Sequence, residues 1–129
     1  LKRNLVTSKY SLCFSMNATN DRQELKGRVI EIPAHTVLLT EPAPELEDYY
    51  DDTEMILFES MESLIEKISY YNANENDYKK ILINGKRAVW NRNTAYHEWN
   101  KILPMMDEDF KPLDIIDLLQ KKHGDFYID

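Results

Sequence analysis

A chain of 129 residues with 43% hydrophobic and 30% charged side chains has the composition of one small globular domain, which excludes extended disorder. Folding at this length removes roughly two thirds of the unfolded surface, enough for one core and too little for two full domains. With 16 Lys and Arg against 23 Asp and Glu, the net charge of −7 disfavours long-range attraction to nucleic acid or anionic lipid, and no nucleic-acid partner is expected.

Residues 10–16 (YSLCFSM) are mostly aromatic or apolar and run into Asn17, Asn20 and Asp21, the pattern of a strand entering a polar loop. Residues 24–34 predict a short helix limited by Gly27 and Pro33. Residues 36–40 (TVLLT) are apolar between their ends, as in a strand covered on both faces. Strand, short helix, strand is a compact parallel crossover. A third strand is expected at residues 55–58 (MILF), after an acidic stretch over 45–54 that reads as a short helix or a loop.

Beyond Phe58 the apolar period lengthens to about 3.6. Met61, Leu64, Ile65, Ile68 and Tyr71 share a face, with Ser60 as N-cap and Glu62 in the first turn. A second helix is expected to begin near Asn76 and to carry Tyr78, Ile81, Leu82, Val89 and Trp90. Gly85 falls inside it; an interior Gly costs about 1 kcal/mol against Ala, so it marks close packing or a kink. A third helix starts from Thr94, shows Trp99, Ile102 and Leu103, and stops before Pro104. After an acidic linker (MDEDF), a last helix runs from Pro112 toward a cap at Gly124. The expected fold is α/β, a small parallel sheet of about three strands with helices. It is read as one domain over 1–129, with a sheet part at 10–58 and a helical part at 60–124.

One cysteine cannot form an internal disulfide, so Cys13 fits a reducing compartment or a buried apolar position. No apolar run approaches the roughly 20 residues of a membrane span and no secretory signal is visible, so the chain is read as cytoplasmic. It opens with Leu1 rather than Met, which suggests a piece of a longer protein.

Open α/β sheets bind ligands at the carboxyl ends of their strands, which directs attention to the segment after the first strand. It holds Asn17, Asn20, Arg22, Lys26 and Arg28, with Glu31 on the following turn. Arg28 and Glu31, three apart on a helix, share a face from which Arg reaches a phosphate and Glu a sugar or ribose hydroxyl; the plainer reading is an ordinary salt bridge between them. His35 is expected at the end of the sheet where loops converge, as an anion donor or an acid–base group; a loop histidine without special role is the plainer reading. The histidines at 35, 97 and 123 and the lone Cys13 lack zinc spacing. Asp107, Glu108 and Asp109 form an acidic triplet of the kind that holds a divalent metal on a nucleotide diphosphate. Set between two helices it reads as solvated linker, as does the acidic stretch at 45–54. A Gly-x-Ser-x-Gly elbow, a Walker loop and a dinucleotide fingerprint are all absent.

Residues 26–103 contain, in order, Gly27, Arg28 and Glu31; the apolar strand Val37, Leu38, Leu39 and Thr40; the stretch 54–58; a Ser60-capped helix to Tyr71; Asn84 and Gly85; and the histidine-containing segment 94–99. This order resembles the C-terminal part of group-one glycosyltransferases, and is most similar to the branch that includes spore-maturation glycosyltransferases. The resemblance implies a GT-B fold, two facing Rossmann-like domains with a nucleotide sugar in the cleft, of which this chain is the last portion of the donor-binding domain. It implies that Glu31 contacts the donor's ribose hydroxyls and that the loop around Arg28 lies near the diphosphate, with His35 and Asn17 as further donor-binding neighbours. It also implies a nucleotide sugar as substrate, no cofactor and no bound metal, the leaving diphosphate being stabilised by helix dipole and basic groups. Where relatives carry one or two Gly between the Glu helix and the next strand, this sequence has Ala34, His35 and Thr36, a departure that bears on close approach to the donor. The isolated chain is expected to be inactive, with the missing N-terminal domain or a second copy as partner and an acceptor that the sequence does not name. The alternative is a non-catalytic protein-interaction module derived from such a domain.

Overall fold

The structure, a computed structural model, describes residues 2–107, 109–115, 117 and 118, and the chain divides into two compact units, Leu1–Val89 and Trp90–Asp129. The first unit opens with a short helix that the sequence pattern did not announce, α1 (Lys2–Thr7), anchored by the buried Leu5. It continues through β1 (Tyr10–Cys13), α2 (Arg28–Glu31), β2 (Val37–Thr40), a 3-10 turn (Leu46–Asp48), β3 (Ile56–Leu57) and α3 (Met61–Ala73) into α4 (Glu75–Arg92). The three strands form one parallel sheet in the order β1, β2, β3, with Tyr10 beside Val37, Cys13 beside Thr40 and Leu39 beside Ile56. The α/β reading with its parallel crossover therefore holds.

β2 is central, and its side chains alternate between two cores. Val37 and Leu39, with Ile56 and Phe58, pack against Leu64 of α3 and Ile81 of α4. Leu38 points the other way, into a cluster with Val29, Ile32, Leu46, Tyr50 and Ala88. Cover on both faces is why this strand reads as an unbroken apolar run. The strand expected over 10–16 ends at Cys13, because Ser15 turns to Glu41: its backbone N and its Oγ both donate to Glu41 Oε2, at 2.9 and 3.1 Å. Met16 returns only as a single antiparallel bridge to Gln23. The helix expected over 24–34 contracts to α2, after which the His35 and Thr36 amides both donate to the Ile32 carbonyl and close a turn.

In α3 the expected cap is present, Ser60 Oγ accepting from the Ser63 amide at 3.1 Å. Its inward stripe is Leu64, Ile68 and Tyr71, whereas Met61 and Ile65 are 60% and 59% exposed. Ile65 lies about 90° around the helix from the centre of the stripe and Met61, in the first turn, about 50° from it. Gly85 marks close packing rather than a kink: a Cβ there would stand 2.7 Å from the Glu54 backbone oxygen. At the amino end of β1, Lys9 Nζ and Tyr10 Oη both donate to Asn72 Oδ1, and Tyr78 Oη donates to the Lys9 carbonyl. These bonds tie the strand to the ends of α3 and α4.

The second unit is built on α5 (Ala95–Met106), which starts after Thr94 as expected but runs through Pro104 rather than stopping before it. Proline forgoes one hydrogen bond, to the Asn100 carbonyl, and the last turn still closes by Asp107 N donating to the Leu103 carbonyl. Trp99 and Ile102 are 52% and 46% exposed. Of the helix expected from Pro112, the described part shows Asp114 Oδ1 accepting from the Asp117 amide, while Gly124 lies outside the described residues.

The N-terminus of α5 carries a pH-dependent cap. His97 Nδ1 accepts from the Thr94 amide at 3.2 Å and lies 2.7 Å from Thr94 Oγ1, so the cap needs an unprotonated Nδ1. Burial pushes the His97 pKa down, against the pull of its hydrogen bond to the Asn91 backbone. The folded chain then binds fewer protons at this site than the unfolded chain. The stabilisation is complete above the unfolded value of about 6.5 and is lost as pH falls through the folded one. Thermal unfolding should show stability falling as pH drops below about 6.5, a fall that His97→Gln reduces, since Gln keeps a capping acceptor without titrating. An unchanged pH profile in that variant contradicts the assignment.

Candidate functional site

The site grows from the end of β1. Beyond Cys13 the chain leaves the sheet at Phe14, is pinned at Ser15 by Glu41, loops out, and returns at Lys26 to begin α2. Leu12, Cys13, Phe14, Lys26, Gly27, Arg28 and Glu31 thereby line one concavity of about 590 Å³ at the carboxyl edge of the sheet. The two residues singled out from spacing, Arg28 and Glu31, are brought together in it, one turn apart on α2.

Their salt bridge is not formed. Arg28 is exposed and Glu31 half-buried, and among the described residues neither side chain has an ion-pair or hydrogen-bond partner. Lys26 is differently placed, with Nζ 3.2 Å from Glu24 Oε2, while Arg22 Nε is 2.9 Å from Glu24 Oε1. Hydrogen bonds from Lys26 and Arg22 hold the Glu24 carboxyl below its usual range. In the floor, Cys13 is buried, and burial pushes its thiol pKa up despite a hydrogen bond with Thr40 and the nearby charges of Arg28 and Lys26. A buried, protonated thiol is a poor nucleophile, so Cys13 serves as packing.

Asn17 is engaged inside the loop rather than in the concavity. It donates to Asp21 Oδ1 and accepts from Thr19 Oγ1 and the Asp21 amide. The bonds from Asn17 and Thr19 also hold the Asp21 carboxyl low. Asn20, in the left-handed region at φ 56°, makes the turn possible. His35 stands just before β2, whose first residue pairs with Tyr10, and so lies at the amino edge of the parallel sheet, opposite the expected converging loops. Ala34, His35 and Thr36, where the resemblance implies a Gly, precede β2 at that same amino edge.

Asp107, at the end of α5, accepts from the Asp109 amide through Oδ1, and Glu108 lies outside the described residues. Among the described residues no three His, Cys, Asp or Glu side chains converge so as to hold a metal ion. No helix among them is long and apolar enough to cross a membrane.

Lys26 lies in the segment after the first strand, and spacing alone does not distinguish it from Arg22. Leu12 and Phe14, which the sequence places only in the first strand, also line the concavity. Their signal is positional: β1 is an edge strand, which leaves Leu12 41% exposed, and the first residue after it, Phe14, points out at 51% exposure. Chemically, the concavity offers a guanidinium, an ammonium and a carboxylate around an apolar floor. Such a set takes an anion together with hydroxyl donors.

A family model described as glycosyl transferase-like matches residues 3–104, a span that includes the whole sheet, the concavity and most of α5. No curated protein and no solved structure matches the chain. With the family match covering most of its length, the chain belongs to the glycosyl transferase-like family.

Proposed function

We propose that the concavity at the end of β1 is part of the donor site of a glycosyltransferase and binds a nucleotide sugar. Arg28, aided by Lys26, takes the diphosphate, and Glu31 accepts hydrogen bonds from the ribose hydroxyls. The observation that carries this reading is the pairing of Arg28 and Glu31 on one wall of one concavity, with no partner for either among the described residues. A guanidinium left uncommitted beside an open cavity is ready for a bidentate phosphate contact, which neither costs an existing bond nor requires rearrangement. The negative charge that develops on the departing diphosphate is stabilised by the same two cations, without a resident metal.

In this proposal the chain forms part of the donor-binding half of a two-domain GT-B enzyme of the spore-maturation type. The acceptor is held by another domain, and the work is done in a reducing, cytoplasmic setting that suits the free Cys13. Asn17 contributes by fixing the loop over β1, and His35 has no part in the site. Calorimetric titration with a panel of UDP- and GDP-sugars tests the reading. Saturable binding in the micromolar to millimolar range is expected for at least one donor, and no nucleotide-dependent heat at several millimolar ligand contradicts it.

A further inference from the structure

Phe14 is the feature of the concavity that phosphate and ribose recognition leaves unused. It is a large apolar side chain at 51% exposure on the rim of a site whose other exposed members are Leu12, Gly27 and Arg28. Its ring is not free to wander, because it meets Phe58 edge to face, with centroids 5.9 Å apart and planes at 83°. Phe58 itself is buried in the core between β2, α3 and α4, a rigid base for the contact. An edge-to-face pair engages one edge or one face of each ring, so Phe58 leaves at least one face of Phe14 uncovered, in keeping with its 51% exposure. Just behind it Ser15 is fixed by two hydrogen bonds to Glu41, which locks the backbone that carries the ring.

We infer that Phe14 is the ring-stacking residue of this donor site, its open face receiving a ring of the bound nucleotide sugar beside the phosphates on Arg28. The inference rests on the proposed donor-site reading and adds to it the group that orients the ligand's uncharged part. The shared chemistry is a flat, weakly polar ring face, which both a nucleobase and the apolar face of a sugar supply. A side chain this apolar adds nothing to the binding of a bare anion.

The test titrates the wild-type chain, Phe14→Ala and Phe14→Tyr with inorganic pyrophosphate, with uridine and guanosine diphosphates, and with glucose 1-phosphate. Phe14→Ala is expected to weaken a ring-bearing ligand by about tenfold while leaving pyrophosphate unchanged. Loss on the nucleoside diphosphates assigns the base as the stacked ring, and loss confined to glucose 1-phosphate assigns the sugar. Phe14→Tyr keeps the ring and its contact with Phe58, so it should bind as the wild type does, which separates stacking from any fault in folding. Equal affinity of wild type and Phe14→Ala for every ligand, or a loss on pyrophosphate as large as on the others, overturns the inference. Failure of the wild type to bind pyrophosphate or any nucleotide removes the donor site itself, and that result is distinct from either of these.

Discussion

Gly85→Ala is expected to destabilise the first unit by about 2 kcal/mol, a fall of roughly 10 °C in melting temperature. In a helix interior the same change ordinarily gains about 1 kcal/mol, because Ala loses less backbone entropy. The sign reverses here because the new Cβ would stand 2.7 Å from the Glu54 backbone oxygen and 3.5 Å from Pro33 Cβ. A backbone carbonyl just before β3 cannot swing aside as a side chain would. Either α4 retreats from the sheet or Glu54 shifts, and the buried Met55 and Ile56 shift with it. Gly27→Ala is the control, since its Cβ would meet nothing within 4 Å and its φ of −55° suits any residue. Its stability should stay within about 0.5 kcal/mol of wild type. Equal melting temperatures for the Gly85 variant and wild type would show that α4 does not rest on this carbonyl.

Arg28→Ala is expected to weaken nucleotide-sugar and pyrophosphate binding alike, by about tenfold or more, the worth of a charge-assisted contact. Glu31→Ala should weaken the nucleotide sugar but not pyrophosphate, because it removes a hydroxyl acceptor and a negative charge that repels the phosphates. The two profiles therefore separate the proposed roles, which a single loss of binding would not. Both variants should fold normally, since neither side chain holds a partner among the described residues whose loss would leave a buried group unsatisfied. Rising salt should erode the Arg28 contribution more than that of Glu31, through screening at an exposed site. Identical losses on pyrophosphate for both variants contradict the division of labour.

The fold was legible where one physical signal dominated. TVLLT announced the doubly covered β2, and Ser60 with its 3.6-residue pattern announced α3. Boundaries were less so. β1 ends at Cys13 because Ser15 bonds to Glu41, which is 26 residues away and invisible to any local pattern. The helix through Pro104 survives because a lost hydrogen bond is a finite cost that the next turn offsets, which residue type alone does not weigh. Met61 and Ile65 look like core on a helical wheel and are exposed, because the sheet reaches only the stripe from Leu64 to Tyr71.

The candidate site was legible in part for the same reason. Arg28 and Glu31 follow from helical spacing plus the rule that ligands sit at strand carboxyl ends. Phe14 depends on β1 lying at the edge of the sheet among the described residues, and His35, which precedes β2, sits at the amino edge rather than at the carboxyl edge where strand-end sites form.

The most direct measurement is amide chemical-shift mapping of the isotope-labelled chain during titration with the UDP- or GDP-sugar that binds best. Shifts should concentrate at residues 12–14 and 26–31, the two segments that meet around the concavity, and in Arg28→Ala should need about tenfold more ligand to reach the same size. Shifts centred on the amino edge around His35, or on α5, or no ligand-dependent shifts at all, would contradict a donor site at the end of β1.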